Sequence, residues 1–140
     1  MEAKVIWNRK GLSLEGTADT GNKVDLASGL DIGGQGFRPM ELMAIGLGGC
    51  TAMDVLSILQ KKRQNIVDFE VIVRTKTEET HPKVWNWVQI EYIVTGNEID
   101  PAAVERAMQL SEERYCPAQN IVNKAVDIDL IYKIIEVEPV

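Results

Sequence analysis

Residues 40–59, MELMAIGLGGCTAMDVLSIL, form a long apolar stretch that decides how this chain folds. The stretch is about as long as a bilayer-spanning helix, but Glu41 and Asp54 would each cost about 3 kcal/mol near a membrane centre. The basic cluster at 61–63 suits the C-terminal end of a helix dipole. We therefore predict one long buried helix of a soluble protein, covered on most sides by a sheet or by a second subunit.

Three short strand-like segments and a glycine-rich connection precede this helix. The segments are residues 4–7, 12–15 and 23–26, with a turn at 20–22. Four glycines within Gly29–Arg38 indicate a flexible connection. They do not indicate a phosphate-binding loop, because no clear strand leads there into a capped helix. This part of the chain is predicted to be a small β-meander.

A hairpin, two helices and a last strand follow the long helix. The hairpin strands are 69–74 and 84–94, the helices start at Pro101 and after Cys116–Pro117, and the last strand is 127–137. Every second residue from Val88 to Val94 is apolar, as a half-buried strand requires. Asp100 is a suitable N-cap before Pro101. This order predicts a single domain over residues 1–140, of the α+β class with mainly antiparallel sheets.

Composition excludes several classes of function. The 140 residues carry 15 Lys and Arg against 21 Asp and Glu, a net charge of −6, which argues against a nucleic-acid partner. Two cysteines and the single His81 have no zinc-ligand spacing, so we expect no metal and no other cofactor. No export signal is visible, and we expect a cytoplasmic protein, with free thiols and no membrane association.

The two cysteines stand in unusual surroundings. Three glycines at 46, 48 and 49 are costly in a helix, at about 1 kcal/mol each, so either close backbone packing or room for a ligand beside Cys50 should justify them. Cys116 precedes Pro117 at an N-cap position, where a helix dipole is expected to lower the pKa of its thiol. A buried, inert thiol is the usual alternative for a free cysteine, above all for Cys50.

Several motifs resemble the OsmC/Ohr family of osmotically inducible and organic-hydroperoxide-resistance proteins. They are RPMEL at 38–42, GGCTAMDV at 48–55, LS at 110–111 and YCP at 115–117. The second motif is most similar to the OsmC-like branch of unassigned function. The resemblance covers nearly the whole chain and implies an intertwined homodimer, with antiparallel sheets packed around a long central helix and active sites at the subunit interface.

The resemblance also implies a peroxidase that serves oxidative or osmotic stress defence. Cys50 would be the peroxidatic cysteine and Cys116 the resolving one. A hydroperoxide would oxidise Cys50 to a sulfenic acid, Cys116 would condense with it to a disulfide, and a dithiol reductant would restore both thiols. The apolar side chains of Met43, Leu47 and Met53 are expected beside Cys50, where they would favour organic hydroperoxides as substrates.

Two positions depart from the family's peroxidases, in which an N-terminal arginine and a glutamate after the helix-starting proline support the thiolate. Met40 follows Pro39 here, and residues 16–23 contain no arginine. We expect Arg38 and Glu41 to take these roles. The departures leave a second hypothesis open, a protein without peroxidase activity that binds a small apolar or thiol-reactive ligand at the dimer interface. A third interpretation makes both cysteines core residues of a structural dimer.

Overall fold

A computed structural model describes residues 1–28 and 35–139. The chain forms two compact units, Met1–Met43 and Ala44–Val140, which are described separately. The prediction of a single domain therefore stays a prediction. The first six residues of the predicted connection at Gly29–Arg38 lie outside the described residues.

The first unit contains the predicted β-meander. Strands β1 (Lys4–Trp7), β2 (Ser13–Thr17) and β3 (Lys23–Ala27) form an antiparallel sheet in the order β1-β2-β3. Phe37 bonds to the backbone of β3, because its N–H donates to the Asp25 carbonyl and its carbonyl accepts from the Ala27 N–H. The meander prediction is confirmed, with β2 beginning one residue later and ending two residues later than expected.

The long helix α1 (Pro39–Lys61) begins in the first unit and continues into the second. The second unit also contains β4 (Asn65–Thr77), β5 (Trp85–Asn97), α2 (Pro101–Leu110), a π-helical turn (Ser111–Tyr115), α3 (Pro117–Val122) and β6 (Ile128–Glu136). All the predicted elements are present, and Asp100 caps α2 by accepting a hydrogen bond from the Ala102 N–H at 3.0 Å. The α+β prediction is confirmed.

The second sheet has the order β4-β5-β6, with β5 in the centre. β4 and β5 pair antiparallel as predicted, but β5 and β6 pair parallel. A parallel pair needs a crossover connection, and α2 and α3 lie between these two strands in the chain. Three of the four strand pairs are thus antiparallel, in keeping with mainly antiparallel sheets.

The core of the second unit is built on the inner face of β5. Val88, Ile90, Tyr92 and Val94 have no exposed surface, which confirms the alternation that predicted the strand. The core also contains three side chains of α1 and four of α2: Leu47, Val55, Leu59, Ala103, Val104, Ala107 and Met108. Burying each large apolar side chain contributes about 1.5–3 kcal/mol to stability.

Gly48 and Gly49, two of the three glycines in α1, differ from each other in their surroundings. A Cβ added at Gly48 would lie 2.9 Å from a methyl carbon of Val73 on β4, so a glycine lets the helix approach the sheet. A Cβ added at Gly49 would meet nothing within 4 Å. Close packing therefore explains Gly48, whereas Gly49 borders open space.

The sheet covers only one side of α1. The described chain buries Leu47, Gly48, Thr51, Val55 and Leu59 of this helix. Its exposed apolar side chains are Met40, Met43, Ile45 and Met53. By length and composition α1 could cross a membrane, but one such helix is weak evidence, since core helices of soluble proteins meet the same criterion. We predicted that either a sheet or a second subunit would cover most sides of this helix. The first alternative is wrong for the single chain, because the sheet covers one side only.

Candidate redox site formed by two cysteines

The two cysteines approach each other in the second unit. Cys50 lies in the middle of α1 and Cys116 follows the π-helical turn, where it caps α3. Both thiols are free, and they are close enough for Cys50 to raise the pKa of Cys116. Cys50 is partly exposed, whereas Cys116 has no exposed surface. The site therefore contains one thiol that solvent can reach and one that it cannot.

Cys116 caps α3 as predicted, but the predicted direction of its pKa shift is wrong. The Gln119 backbone N–H donates to the Cys116 Sγ at 3.3 Å, and this bond does lower the pKa. Burial acts in the opposite direction and is the larger effect, because it disfavours the thiolate. The hydrogen bond with Cys50 and the charge of Asp54 act with burial, so the pKa of Cys116 rises to about 11.

A buried hydrogen-bond network lies next to the cysteines and is centred on Thr51, the neighbour of Cys50. The Thr51 Oγ1 lies 2.6 Å from the Tyr92 hydroxyl and 2.8 Å from the Ser111 Oγ. It also accepts a hydrogen bond from the Gln119 Nε2 at 3.0 Å. These bonds join α1 to β5, to the π-helical turn and to α3.

The network has one consistent order of donors when Asp54 is ionised. Ser111 donates its only hydroxyl proton to the Asp54 Oδ2 at 3.0 Å. Thr51 must then donate to Ser111, and Tyr92 must donate to Thr51, because each hydroxyl has a single proton. All three hydroxyl donors therefore point along one chain that ends at the Asp54 carboxylate.

Tyr92 and Gln119 complete the network. Burial raises the pKa of Tyr92 to about 12, so this hydroxyl stays protonated at neutral pH and can donate as the order requires. Gln119 is 1% exposed, and its Oε1 has no hydrogen-bond partner among the described residues. Gln119 thus binds Cys116 through its backbone and Thr51 through its side chain.

An apolar cavity of about 360 Å³ lies against the small residues of α1. Its lining consists of Ala44, Ile45, Gly48, Gly49, Ala52, Val71 and Val73. The predicted residues Met43, Leu47 and Met53 do not line it, and Leu47 instead belongs to the core. Gly49 borders this cavity but neither cysteine lines it, so room for a ligand beside the Cys50 thiol stays a prediction.

Arg38 and Glu41 belong to the first unit, where they bond to each other. The Glu41 Oε1 accepts from the Arg38 backbone N–H at 2.8 Å and from its Nε at 3.4 Å. The backbone bond, followed by the side-chain bond, lowers the pKa of the Glu41 carboxyl. The carboxylate thus caps the start of α1, and a role for either residue at Cys50 stays a prediction.

No group of three or more His, Cys, Asp or Glu side chains among the described residues could hold a metal ion. His81 lies in the exposed turn between β4 and β5. Sequence reasoning missed Asp54, Tyr92 and Gln119 as neighbours of the cysteines. The sequence signals were slight: Asp54 follows Cys50 by four helical positions, and a polar Ser111 stands on the apolar stripe of the helix that begins at Pro101.

Comparisons with known proteins agree on one family. A family model described as "OsmC-like protein" matches residues 32–131. The Escherichia coli protein YhfA is 38% identical over 135 residues, which cover 96% of this chain and 98% of YhfA.

Two solved structures share the fold. A hypothetical protein of Aquifex aeolicus VF5 is 26% identical with a TM-score of 0.86, covering 98% of this chain and 97% of that one. The organic hydroperoxide resistance protein OhrB of Bacillus subtilis is 18% identical with a TM-score of 0.64, covering 94% of this chain and 96% of that one. At 18% identity, the second likeness concerns the fold alone.

The buried Cys116 thiol should make the protein less stable at alkaline pH. Its pKa is about 11 in the folded chain and about 9 when exposed, so between pH 9 and 11 the unfolded chain loses a proton that the folded chain keeps. The free energy of unfolding should therefore fall as pH rises through this window. Urea denaturation of the reduced protein at pH 8 and pH 11 measures it.

The matched control is Cys116→Ser, which has no thiol to ionise at this position. We expect a smaller loss of stability between pH 8 and 11 in this variant than in the wild type. Equal losses in the two proteins would contradict the raised pKa of Cys116.

Proposed function

This chain belongs to the OsmC-like protein family, and we propose that it is a cysteine-based peroxidase that reduces organic hydroperoxides through Cys50 and Cys116. The observation that carries the proposal is the interaction between two free thiols, one partly exposed and one buried. A hydroperoxide can reach the first, and the second is in position to react with the product. An inert pair of core thiols would not need this difference in exposure.

In the first step the Cys50 sulfur attacks the peroxide O–O bond. The sulfur gains an oxygen and becomes a sulfenic acid, while the O–O bond breaks and the organic part leaves as an alcohol after taking up a proton. The partial exposure of Cys50 supports this assignment, because a substrate must approach its sulfur directly.

In the second step Cys116 closes the cycle. Its sulfur forms a bond to the Cys50 sulfur, the S–O bond breaks, and water leaves. A dithiol reductant then restores both thiols by exchange. The interaction between the two side chains supports this step, because the sulfurs must meet for the bond to form.

The similarity to an organic hydroperoxide resistance protein supports an organic substrate, whereas the apolar cavity does not, because neither cysteine lines it. OhrB of Bacillus subtilis, which has the same fold, is described as an organic hydroperoxide resistance protein. We therefore propose small organic hydroperoxides as substrates and oxidative or osmotic stress defence in the cytoplasm as the role.

A second copy of this chain is the partner that we propose for the exposed side of α1. OsmC/Ohr proteins are known to act as dimers. Exposed Met43, Ile45 and Met53 would lose contact with water in such an assembly, and burial of apolar surface is the main driving force of association. The predicted homodimer would complete the cover that the sheet provides on only one side of the helix.

A second candidate function is binding of a small apolar or thiol-reactive ligand without turnover of peroxide. The observation that favours it is the bond between Arg38 and Glu41, which occupies the arginine predicted to support the thiolate. In this case the same cavity would hold the ligand, and the cysteines would stay reduced when a peroxide is added.

Peroxide consumption tests the proposed function. With cumene hydroperoxide and excess dithiol reductant, the wild type should consume many equivalents of peroxide, because both thiols are regenerated after each cycle. Cys50→Ser should lose at least about 100-fold in rate, since no other thiol is exposed to the substrate. The measurement is peroxide loss over time.

Cys116→Ser separates the steps, because it should still form a sulfenic acid on Cys50 that dimedone traps. Equal rates for the wild type and Cys50→Ser would overturn the peroxidase. A rise in thermal stability with apolar ligands, together with thiols that stay alkylatable after peroxide, would favour the binding function instead.

Light scattering tests the homodimer. The reduced protein should have twice the chain mass of 15.6 kDa, because an apolar face on α1 needs a partner. Ile45→Asp places a charge on this face and should shift the mass toward that of the single chain. Val84→Asp, at an exposed site beside the hairpin turn, is the matched control and should leave the mass unchanged. A wild-type mass of 15.6 kDa would contradict the dimer.

A further inference from the structure

The second step of the proposed cycle requires the buried Cys116 thiol to lose its proton. With a pKa of about 11, only about one Cys116 in ten thousand is a thiolate at pH 7. The thiolate, not the thiol, is the nucleophile. A fast second step therefore needs a base close to Cys116.

Asp54 is linked to both cysteines through the fold. It follows Cys50 by four residues on α1, so the two side chains lie on the same face of the helix, one turn apart. Its Oδ2 accepts the Ser111 hydroxyl at 3.0 Å, and the Ser111 carbonyl accepts the Cys116 N–H at 2.8 Å. The same π-helical turn thus connects the Asp54 carboxylate to Cys116, whose thiol is close enough to be affected by its charge.

The other titratable groups around the pair are unsuitable as bases. The titratable groups that influence the pKa of Cys116 are Cys50 and Asp54 of α1. Glu112 of the π-helical turn influences the pKa of the neighbouring Tyr92 on β5. Tyr92 stays protonated at neutral pH, and Glu112 is exposed to solvent. Cys50 is itself the oxidised partner at this stage. Asp54 is the partly buried carboxylate that remains.

We propose that Asp54 is the proton acceptor of the disulfide-forming step, an inference that rests on the proposed peroxidase function. The carboxylate takes the proton from the Cys116 thiol as the sulfur lone pair forms the S–S bond. The S–O bond of the Cys50 sulfenic acid breaks, and its electron pair leaves with the oxygen. Asp54 returns the proton to this oxygen, water departs, and the carboxylate is regenerated.

The hydroxyl network prepares Asp54 for this role. Its donors run from Tyr92 through Thr51 and Ser111 to the carboxylate, so the last of them holds one carboxylate oxygen in place. Ser111 binds the Oδ2 atom, which leaves the Oδ1 atom to accept a proton. The network therefore orients the carboxylate and leaves one of its oxygens free for proton transfer.

The test follows the second step alone. Reduced wild-type protein, Asp54→Asn and the exposed-site control Asp68→Asn are mixed with one equivalent of cumene hydroperoxide and quenched at intervals. Mass spectrometry then counts the dimedone adduct of Cys50 and the disulfide. We expect Asp54→Asn to accumulate the sulfenic acid and to form the disulfide about 100-fold more slowly at pH 7, with Asp68→Asn matching the wild type.

The pH profile separates a base from a merely structural residue. Disulfide formation should change little between pH 6.5 and 8.5 in the wild type, because the carboxylate takes the proton directly and hydroxide is not required. In Asp54→Asn the rate of disulfide formation should rise about tenfold per pH unit. Hydroxide then takes over the deprotonation of Cys116, a thiol whose pKa lies well above this range. A structural loss would lower the rate by the same factor at every pH.

Two outcomes would overturn the inference on its own. One is a disulfide rate in Asp54→Asn equal to that of the wild type, and the other is a wild-type rate that itself rises tenfold per pH unit. The second needs no variant, so it decides the matter even if Asp54→Asn does not fold. If no sulfenic acid forms on Cys50 even in Cys116→Ser, the proposed function fails, and this inference fails with it.

Discussion

The hydroxyl of Thr51 is the contact on which the second unit depends. It lies on the buried side of α1 and bonds to Tyr92 of β5, Ser111 of the π-helical turn and Gln119 of α3. A buried polar group without a partner costs about 1–3 kcal/mol, so a shift of the helix along the sheet would leave several groups unpaired at once. The network therefore selects one position of α1 against the three other elements, which apolar packing alone would specify less strictly.

That position has a direct chemical consequence. Because Thr51 is adjacent to Cys50 and Gln119 is bonded to Cys116, the contacts that align the helix also bring the two thiols together. Cys50 stays partly exposed and Cys116 is buried. Burial in the core is the main reason why Cys116 remains protonated. The same packing suits this thiol to react only with the oxidised side chain of Cys50.

Much of the fold could be predicted, because it depends on local patterns. The alternation along β5, the Asp100 cap and the position of Cys116 before Pro117 are visible in the sequence and appear in the structure. The parallel pairing of β5 and β6 could not be predicted from local patterns, since it depends on how the chain crosses over between the two strands. The site was predictable as two cysteines but not as a network. The sequence indicated the cap at Cys116 but not its burial, and burial reverses the direction of the pKa shift.

The most direct test of the central claim is to map the disulfide in wild-type protein oxidised by one equivalent of cumene hydroperoxide and digested without reduction. We expect loss of both free thiols and one linked peptide pair that joins Cys50 to Cys116 within a single chain. Because the two thiols interact in the folded protein, we expect this bond to form without unfolding. Recovery of both cysteines as separately alkylated peptides, or linkage only between different chains, would contradict it.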